Sequence, residues 1–149
     1  MKVKDVMKKK VIKIKQGTSY KEVIKILLTN KISGAPVVDN KDKLIGMVSE
    51  KDLFRILYPY YKSYYENPEL YLDLEERESK AKEIQNHKVE TFMSKEVVTT
   101  TPDAPAMAAG AIMLAKGIHR LVVVEKEKVV GIITRRDIYH PILKQSLYL

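Results

Sequence analysis

The 149-residue sequence contains no cysteine and no run of 18 or more apolar residues. The first absence excludes a disulfide framework, thiolate metal ligands and a cysteine nucleophile. The second excludes a transmembrane helix, and the charged residues that follow Met1 are unlike the apolar core of a signal peptide. We therefore expect a soluble, cytoplasmic protein with no membrane partner.

Motifs of catalysis are also missing. The three histidines, His87, His119 and His140, are scattered along the chain. No HExxH or Walker A spacing occurs, and no serine, histidine and acid together suggest a nucleophilic triad. The sequence therefore argues against an enzyme, and it predicts no metal site and no obligatory cofactor.

Charge is plentiful but uneven. The formal net charge is +8, and seven lysines lie within the first fifteen residues, whereas residues 58–88 are net negative. A basic surface attracts the phosphates of a nucleotide or of a nucleic acid. Lysine-rich surfaces are also common as solvated faces of proteins from hot environments, so the charge alone leaves both interpretations open.

An internal repeat organises the chain. The sequence that begins VKDVM at Val3 aligns with the sequence that begins VETFM at Val89. The aligned pairs include Met7 with Met93, Gly46 with Gly131 and Asp52 with Asp137. One unit is therefore used twice. We assign the first domain to residues 1–57 and the second to residues 89–149, and we treat residues 58–88 as an insert unlike either.

Each repeat has the pattern strand, helix, strand, strand, helix. In the first repeat a strand containing Val11, Ile12 and Ile14 precedes a helix that begins with a Ser19 and Glu22 capping box. The apolar face of this helix comprises Tyr20, Val23, Ile24, Leu27 and Leu28. Two apolar runs around a polar turn at 39–43 then predict a hairpin, and a second helix follows.

The second repeat copies this order. Val97 and Val98 form its first strand, and a helix follows over residues 106–116. Gly110 in that helix costs about 1 kcal/mol relative to alanine, which would be explained by the close approach of another backbone. We predict a mixed α/β (α+β) fold whose two repeats pack sheet to sheet as a pseudo-twofold pair.

Short motifs in both repeats resemble the CBS domain, in the same order and spacing. They are DVM, KISGAPVVD and LIGMVSEKDL in the first repeat and TFM, GIHRLVVVE and VVGIITRRDI in the second. The resemblance implies a non-catalytic sensor module that binds AMP, ADP, ATP, S-adenosylmethionine or NAD in clefts between its repeats. It also implies a regulated protein partner and a homodimer that forms a disc of four CBS domains.

Two hydroxyl and acid pairs lie at predicted helix starts, Ser49 with Asp52 and Thr134 with Asp137. Such a pair caps a helix. The same geometry offers amide donors and partial positive charge to a phosphate, and it offers a carboxylate to the two ribose hydroxyls. In the CBS family the acid at this place is the usual ribose ligand, so the resemblance implies binding in at least one repeat.

His119 and Arg120 precede an apolar strand and correspond to Ser33 and Gly34 in the first repeat. The pair resembles the phosphate contacts of the gamma subunit of AMP-activated kinase. Arginine offers a planar bidentate fork and histidine a donor that titrates near neutrality. The alternative is a solvated loop cation beside a packed histidine. Because the first repeat lacks the pair, we expect the two clefts to differ in phosphate affinity.

Adenine would be held by backbone groups and apolar side chains. The candidates are Ile14, Ile32, Ala35 and Val48 in the first repeat and Thr100, Ile118, Leu121 and Ile133 in the second. All of these residues are equally expected in a hydrophobic core.

The insert contains six of the nine tyrosines and a charged run at 75–83 that predicts a helix. Tyrosines beside basic residues are able to stack on bases, which keeps nucleic-acid binding as the alternative function. The adjoining acids favour packing of the insert against the repeats or against a dimer partner.

Overall fold

The protein is described by a computed structural model that covers residues 1–58, 65, 66, 68 and 74–149, with the backbone alone described for 74–77. In chain order the regular elements are α1 (Val3–Val6), β1 (Ile14–Lys15), α2 (Tyr20–Asn30), β2 (Gly34–Val38), β3 (Leu44–Ser49), α3 (Glu50–Arg55), α4 (Leu74–Ile84), a 3-10 helix (Val89–Thr91), β4 (Thr99–Thr100), α5 (Ala106–Lys116), β5 (Arg120–Glu125), β6 (Lys128–Thr134) and α6 (Arg135–Ser146). The mixed α/β class is confirmed, with two three-stranded sheets.

The chain forms two compact units, and each unit includes a segment from the other half of the sequence. The unit built on the first repeat, here the N-repeat unit, comprises residues 13–40 and 45–95. The C-repeat unit comprises residues 1–12, 41–44 and 96–149. The first twelve residues, which the alignment places in the first repeat, therefore belong to the unit built on the second.

In the N-repeat unit the sheet order is β1-β2-β3, and β1 pairs with β2 in parallel so that Ile14 faces Val37. The Ser19 hydroxyl accepts a hydrogen bond from the Glu22 amide and begins α2 as predicted. The core comprises Ile14, Tyr20, Val23, Leu27, Ala35, Val37, Val48, Ile84, Val89 and Phe92. Leu28 is 74% exposed, because five residues of helix place it about 140° around the axis from buried Val23.

In the C-repeat unit the sheet order is β4-β5-β6, with β4 parallel and β6 antiparallel to β5. Arg120 pairs with Thr134 and Leu121 with Ile133, which brings the start of β5 beside the end of β6. The core comprises Val3, Ala106, Ala109, Met113, Leu121, Val123, Ile133 and Ile138. The start of α6 is therefore anchored next to the turn that precedes β5.

Residues 1–12 of the C-repeat unit and residues 89–95 of the N-repeat unit, here the exchanged segments, make matching contacts in their units. In the C-repeat unit Val3 is fully buried, its amide donates to the Ala104 carbonyl at 2.9 Å, and Lys8 pairs with Ile132 through both backbone groups. In the N-repeat unit Val89 is fully buried, its amide donates to the Thr18 carbonyl at 2.8 Å, and Ser94 pairs with Met47 in the same way. The repeat alignment relates every one of these contacts.

A methionine from each segment covers a glycine of the last strand. A Cβ atom on Gly46 would lie 2.5 Å from the Met93 sulfur, and one on Gly131 would lie 2.6 Å from the Met7 sulfur. Real Cβ atoms do not approach so closely. The two glycines are therefore required by packing.

Three local expectations need correction. The first strand of each repeat begins later than predicted, at Ile14 and Thr99. In the first repeat the residues before Lys13 belong to the C-repeat unit. No other backbone of the described residues comes close to Gly110, since a Cβ atom built there would have the Ile138 side chain, at 3.7 Å, as its nearest contact. The helix that the sequence predicts from Ser49 through Leu57 ends at Arg55.

The insert is described only in part. The charged helix predicted at 75–83 is confirmed as α4. The tyrosines that lie outside the described residues are Tyr60, Tyr61, Tyr64 and Tyr71. None of the helices that the structure describes is long and apolar enough to cross a membrane.

Candidate functional site

In the C-repeat unit the start of α6 is closed by a reciprocal capping box. Asp137 Oδ2 accepts hydrogen bonds from the Thr134 amide and hydroxyl, both at 2.8 Å, and the Asp137 amide donates to the Thr134 hydroxyl at 3.3 Å. These bonds hold the carboxylate at the N-terminus of the helix, where the backbone carries partial positive charge. All hydrogen bonds to the carboxylate end on Oδ2, and Oδ1 has no partner among the described residues.

The turn that carries His119 and Arg120 is tied to the same helix start. The Arg135 amide donates to the His119 carbonyl at 3.2 Å, and the Arg135 Nε donates to the Ile118 carbonyl at 2.9 Å. His119 is exposed and Arg120 half-buried, and Arg120 makes a polar interaction of its own. Backbone contacts therefore bring His119 and Arg120 beside the start of α6, where Thr134 and Asp137 lie.

Arg135 was not among the residues predicted for the site. Its side chain also reaches the Met113 carbonyl at 3.5 Å, so it closes the C-terminal end of α5 and positions the His119 turn. The signal in the sequence was the replacement of Glu50, its counterpart in the first repeat, by a cation. A cation suits the carbonyl end of a helix, where an acid does not.

Thr100 differs from the other adenine candidates of the second repeat. Its side chain is 8% exposed, and its hydroxyl has no hydrogen-bond partner among the described residues. A buried hydroxyl without a partner costs about 1–3 kcal/mol. Leu121 and Ile133 are fully buried core residues, and Ile118 packs against that core. Their burial is what any core residue shows, so their contact with adenine stays a prediction.

In the N-repeat unit Asp52 begins α3 in a more crowded setting. Asp52 is only 4% exposed, and its Oδ2 accepts from the Ser49 amide at 2.9 Å and from the Ser49 hydroxyl at 3.3 Å. Its Oδ1 accepts from the Ser94 hydroxyl at 3.1 Å and faces Arg55 Nη2 at 3.5 Å. Both oxygens are therefore occupied by the chain itself.

The adenine candidates of the first repeat lie in the core of the same unit. Ile14, Ala35 and Val48 are fully buried, and Ile32 packs against them. As in the other unit, this burial does not separate a ligand contact from ordinary packing.

One groove in the described part of the chain is lined by none of the predicted site residues. A shallow groove along α6 is formed by Tyr139, His140, Leu143, Lys144, Leu147 and Leu149. No group of three or more histidine, aspartate or glutamate side chains that could hold a metal occurs in the part of the chain that the structure describes.

Comparison with known proteins identifies the family. The CBS domain family matches residues 3–59 and 89–144, which are the two repeats. The chain belongs to the CBS domain family. A solved CBS domain pair, that of protein MJ0100 in complex with 5′-methylthioadenosine and S-adenosyl-L-methionine, superimposes with a TM-score of 0.71 at 25% identity, covering 97% of this chain and 98% of that chain. This CBS pair thus shares the fold of a pair that holds adenosyl compounds.

Relatives of this CBS pair differ greatly in length. The uncharacterized protein MJ1426 of Methanocaldococcus jannaschii is 31% identical over 155 residues, covering 96% of this chain and 92% of that protein. The inosine-5'-monophosphate dehydrogenase of the same organism is 33% identical over 138 residues, which is 92% of this chain but only 23% of the enzyme. The similarity therefore covers less than a quarter of that enzyme.

Proposed function

We propose that this CBS domain pair is a non-catalytic regulatory module that binds an adenosyl ligand at the start of α6. The ligand class comprises AMP, ADP, ATP, S-adenosylmethionine and NAD. The observation that carries the proposal is the Asp137 carboxylate, which is fixed by Thr134 through Oδ2 while Oδ1 has no partner among the described residues.

The ribose would be recognised by Asp137. A carboxylate accepts hydrogen bonds on two oxygens, and Thr134 uses only one of them. Charge-assisted hydrogen bonds from a ribose hydroxyl to the other oxygen are stronger than neutral ones. The MJ0100 complex supports an adenosyl ligand, because its two ligands have the adenosyl moiety in common.

The phosphate would be recognised by the His119 turn together with the N-terminus of α6. The start of α6 favours an anion through the partial positive charge of the helix macrodipole, because the Thr134, Arg135 and Asp137 amides already donate within the protein. The contact between the Arg135 amide and the His119 carbonyl brings the two elements together. Arg120 adds a guanidinium group that matches phosphate geometry. We therefore expect AMP to bind more tightly than adenosine.

Calorimetric titration with AMP, adenosine and S-adenosylmethionine tests both assignments. Asp137→Ala should weaken AMP binding by about 1–3 kcal/mol, roughly 5- to 150-fold, whereas the matched control Asp103→Ala, an exposed acid of the same unit, should not. Arg120→Ala should remove most of the preference for AMP over adenosine, and Lys128→Ala should leave it unchanged.

Unaltered AMP affinity in a folded Asp137→Ala variant contradicts the ribose assignment. S-adenosylmethionine as the tightest ligand of the parent contradicts the phosphate assignment.

A homodimer is part of the proposal. Leu28 on α2 is 74% exposed, and Leu114 on α5 is 71% exposed, so each unit leaves a large apolar side chain in solvent on its first helix. Burial of such residues against a second copy stabilises association. Sedimentation velocity should show a 34 kDa species (2 × 17.1 kDa) at micromolar concentration. A 17.1 kDa species alone contradicts the dimer.

Nucleic-acid binding is retained as the second candidate because of Lys8, Lys9 and Lys10. All three are exposed, and none forms a salt bridge within the described residues. Neutralised phosphates release counterions, so this function predicts oligonucleotide binding that weakens steeply with salt. AMP binding with little salt dependence favours the regulatory function instead. A regulated protein partner and a cytoplasmic location stay predictions.

A further inference from the structure

The two acids at the helix starts differ in what occupies their second oxygen. We infer that Arg55 and Ser94 hold the Asp52 position closed, so that the protein binds one adenosyl ligand, at Asp137, and gains a second site when these two side chains are replaced. The inference rests on the proposed function, because it treats both acids as ribose ligands.

Asp52 has no capacity left for a ribose hydroxyl. Its carboxylate receives two contacts from Ser49, one from the Ser94 hydroxyl and one from Arg55 Nη2. Four donors match the roughly four lone-pair sites of a carboxylate. A ligand hydroxyl therefore competes with groups that are tethered nearby and that bind without loss of translational freedom.

The two competing groups differ in strength. Ser94 is fixed because its backbone pairs with Met47, with the Ser94 amide donating at 2.8 Å and the Met47 amide donating at 2.9 Å. Arg55 is held less firmly, since its side chain is 43% exposed and its Nη2 lies 3.5 Å from Oδ1, whereas the Ser94 hydroxyl lies at 3.1 Å. Ser94 is thus the principal competitor, and Arg55 the weaker one.

The C-repeat unit lacks both competitors. The repeat alignment places Lys8 at the position of Ser94 and His140 at the position of Arg55. Neither side chain forms a hydrogen bond or ion pair with Asp137 in the described part of the chain, although Lys8 makes the same backbone pairing, with Ile132, that Ser94 makes with Met47. The backbone is therefore equivalent, and only the side chains distinguish a closed acid from an open one.

Calorimetric titration counts the AMP-binding sites per chain. Titration of AMP should give one site per chain in the parent and in Lys95→Ala, which is the matched control beside Ser94. Ser94→Ala combined with Arg55→His should give two sites, the new one weaker by about tenfold or more because the first repeat lacks His119 and Arg120. Adding Asp52→Ala to the double variant should weaken the new site about 5- to 150-fold and leave the Asp137 site unchanged, and adding Asp137→Ala should weaken the original site by the same factor and leave the new one unchanged.

The outcomes separate this inference from the proposed function. Two equal sites in the parent, or one site in a double variant that melts like the parent, overturn the inference while the proposed function stands. If the parent binds no AMP and the double variant gains a site that Asp52→Ala weakens, the proposed site at Asp137 fails, and of the inference only the closure of Asp52 by Arg55 and Ser94 stands. Absence of binding in both proteins overturns both. Should Ser94→Ala fail to fold, Ser94→Lys combined with Arg55→His, which copies Lys8 and His140 of the C-repeat unit, repeats the count.

Discussion

The N-repeat and C-repeat units share their apolar contacts but not their polar ones. Each unit buries a valine of the exchanged segment and covers a strand glycine with a methionine. At aligned positions, however, Glu90 accepts a hydrogen bond from the Gly17 amide at 2.6 Å, whereas Lys4 forms an ion pair with Asp103 at 3.0 Å. The comparison shows that packing preserves the fold in both copies, while the polar groups around it are able to diverge and to give each copy a different chemistry.

Deletion of residues 1–12 should have the largest effect on the difference between the two units. The C-repeat unit then loses buried Val3 and the backbone pairing of Lys8 with Ile132, while the N-repeat unit keeps its own segment. Loss of a buried valine and several hydrogen bonds should destabilise the C-repeat unit by at least about 3 kcal/mol. Hydrogen exchange should become faster at Ile132 and Ala106 but not at Met47 and Tyr20. Equal changes in both units would show that the two are not stabilised separately.

Alanine at each strand glycine should have unequal effects. At Gly131 the added Cβ would meet the Met7 sulfur and also the Lys8 carbonyl at 3.1 Å, which is backbone, whereas at Gly46 its three nearest contacts are all with the Met93 side chain. We expect Gly131→Ala to cost about 1–3 kcal/mol and Gly46→Ala less, because a methionine side chain can rotate away. Urea denaturation measures both.

A double-mutant cycle provides the control for these substitutions. Met93→Ala should relieve the whole clash at Gly46, while Met7→Ala should relieve only part of the clash at Gly131. Full relief in both cases would mean that the Lys8 carbonyl yields, and the asymmetry between the units would disappear.

The sequence predicted features that depend on neighbouring residues better than those that depend on distant ones. The helix starts at Ser19 and Thr134 were predictable because a cap is formed within three residues. The exchange of segments was not predictable, because the alignment assigns Val3 to the first repeat and carries no information about contacts between distant residues. The same reason hid the contact between Asp52 and Ser94, which lie 42 residues apart.

The two acids at the helix starts, Asp52 and Asp137, are also expected to contribute unequally to the free energy of unfolding. Asp52→Ala removes a buried carboxylate that four donors contact, and it leaves the Ser94 hydroxyl without its partner. Asp137→Ala removes a half-buried cap. We expect losses of about 2 kcal/mol and about 1 kcal/mol respectively, measured by thermal unfolding without ligand. The reverse order would show that Arg55 and Ser94 do not stabilise the Asp52 carboxylate.

The smallest expected effect concerns Asp103 and its pH dependence. Hydrogen bonds and charge from Lys4 and then Lys2 lower the pKa of Asp103. The hydrogen bond and charge of Asp103 in turn raise the pKa of Lys4. An acid with a lowered folded pKa stabilises the fold above its ordinary pKa of about 4, and this contribution is lost as pH falls through the folded pKa. Asp103→Asn should abolish that small acid-side loss at low salt. A melting profile between about pH 3 and pH 6 that is identical for parent and variant contradicts it.

The exchanged segments also set an order for folding during synthesis. The N-repeat unit consists of residues 13–40 and 45–95, so all of its parts are synthesised before residues 96–149 of the C-repeat unit. The C-repeat unit needs Lys8 to pair with Ile132, and these residues lie near opposite ends of the chain. Contacts between distant residues form slowly because a long loop must close first. During translation, therefore, the first segment waits with Val3 exposed until the last strand of its unit emerges.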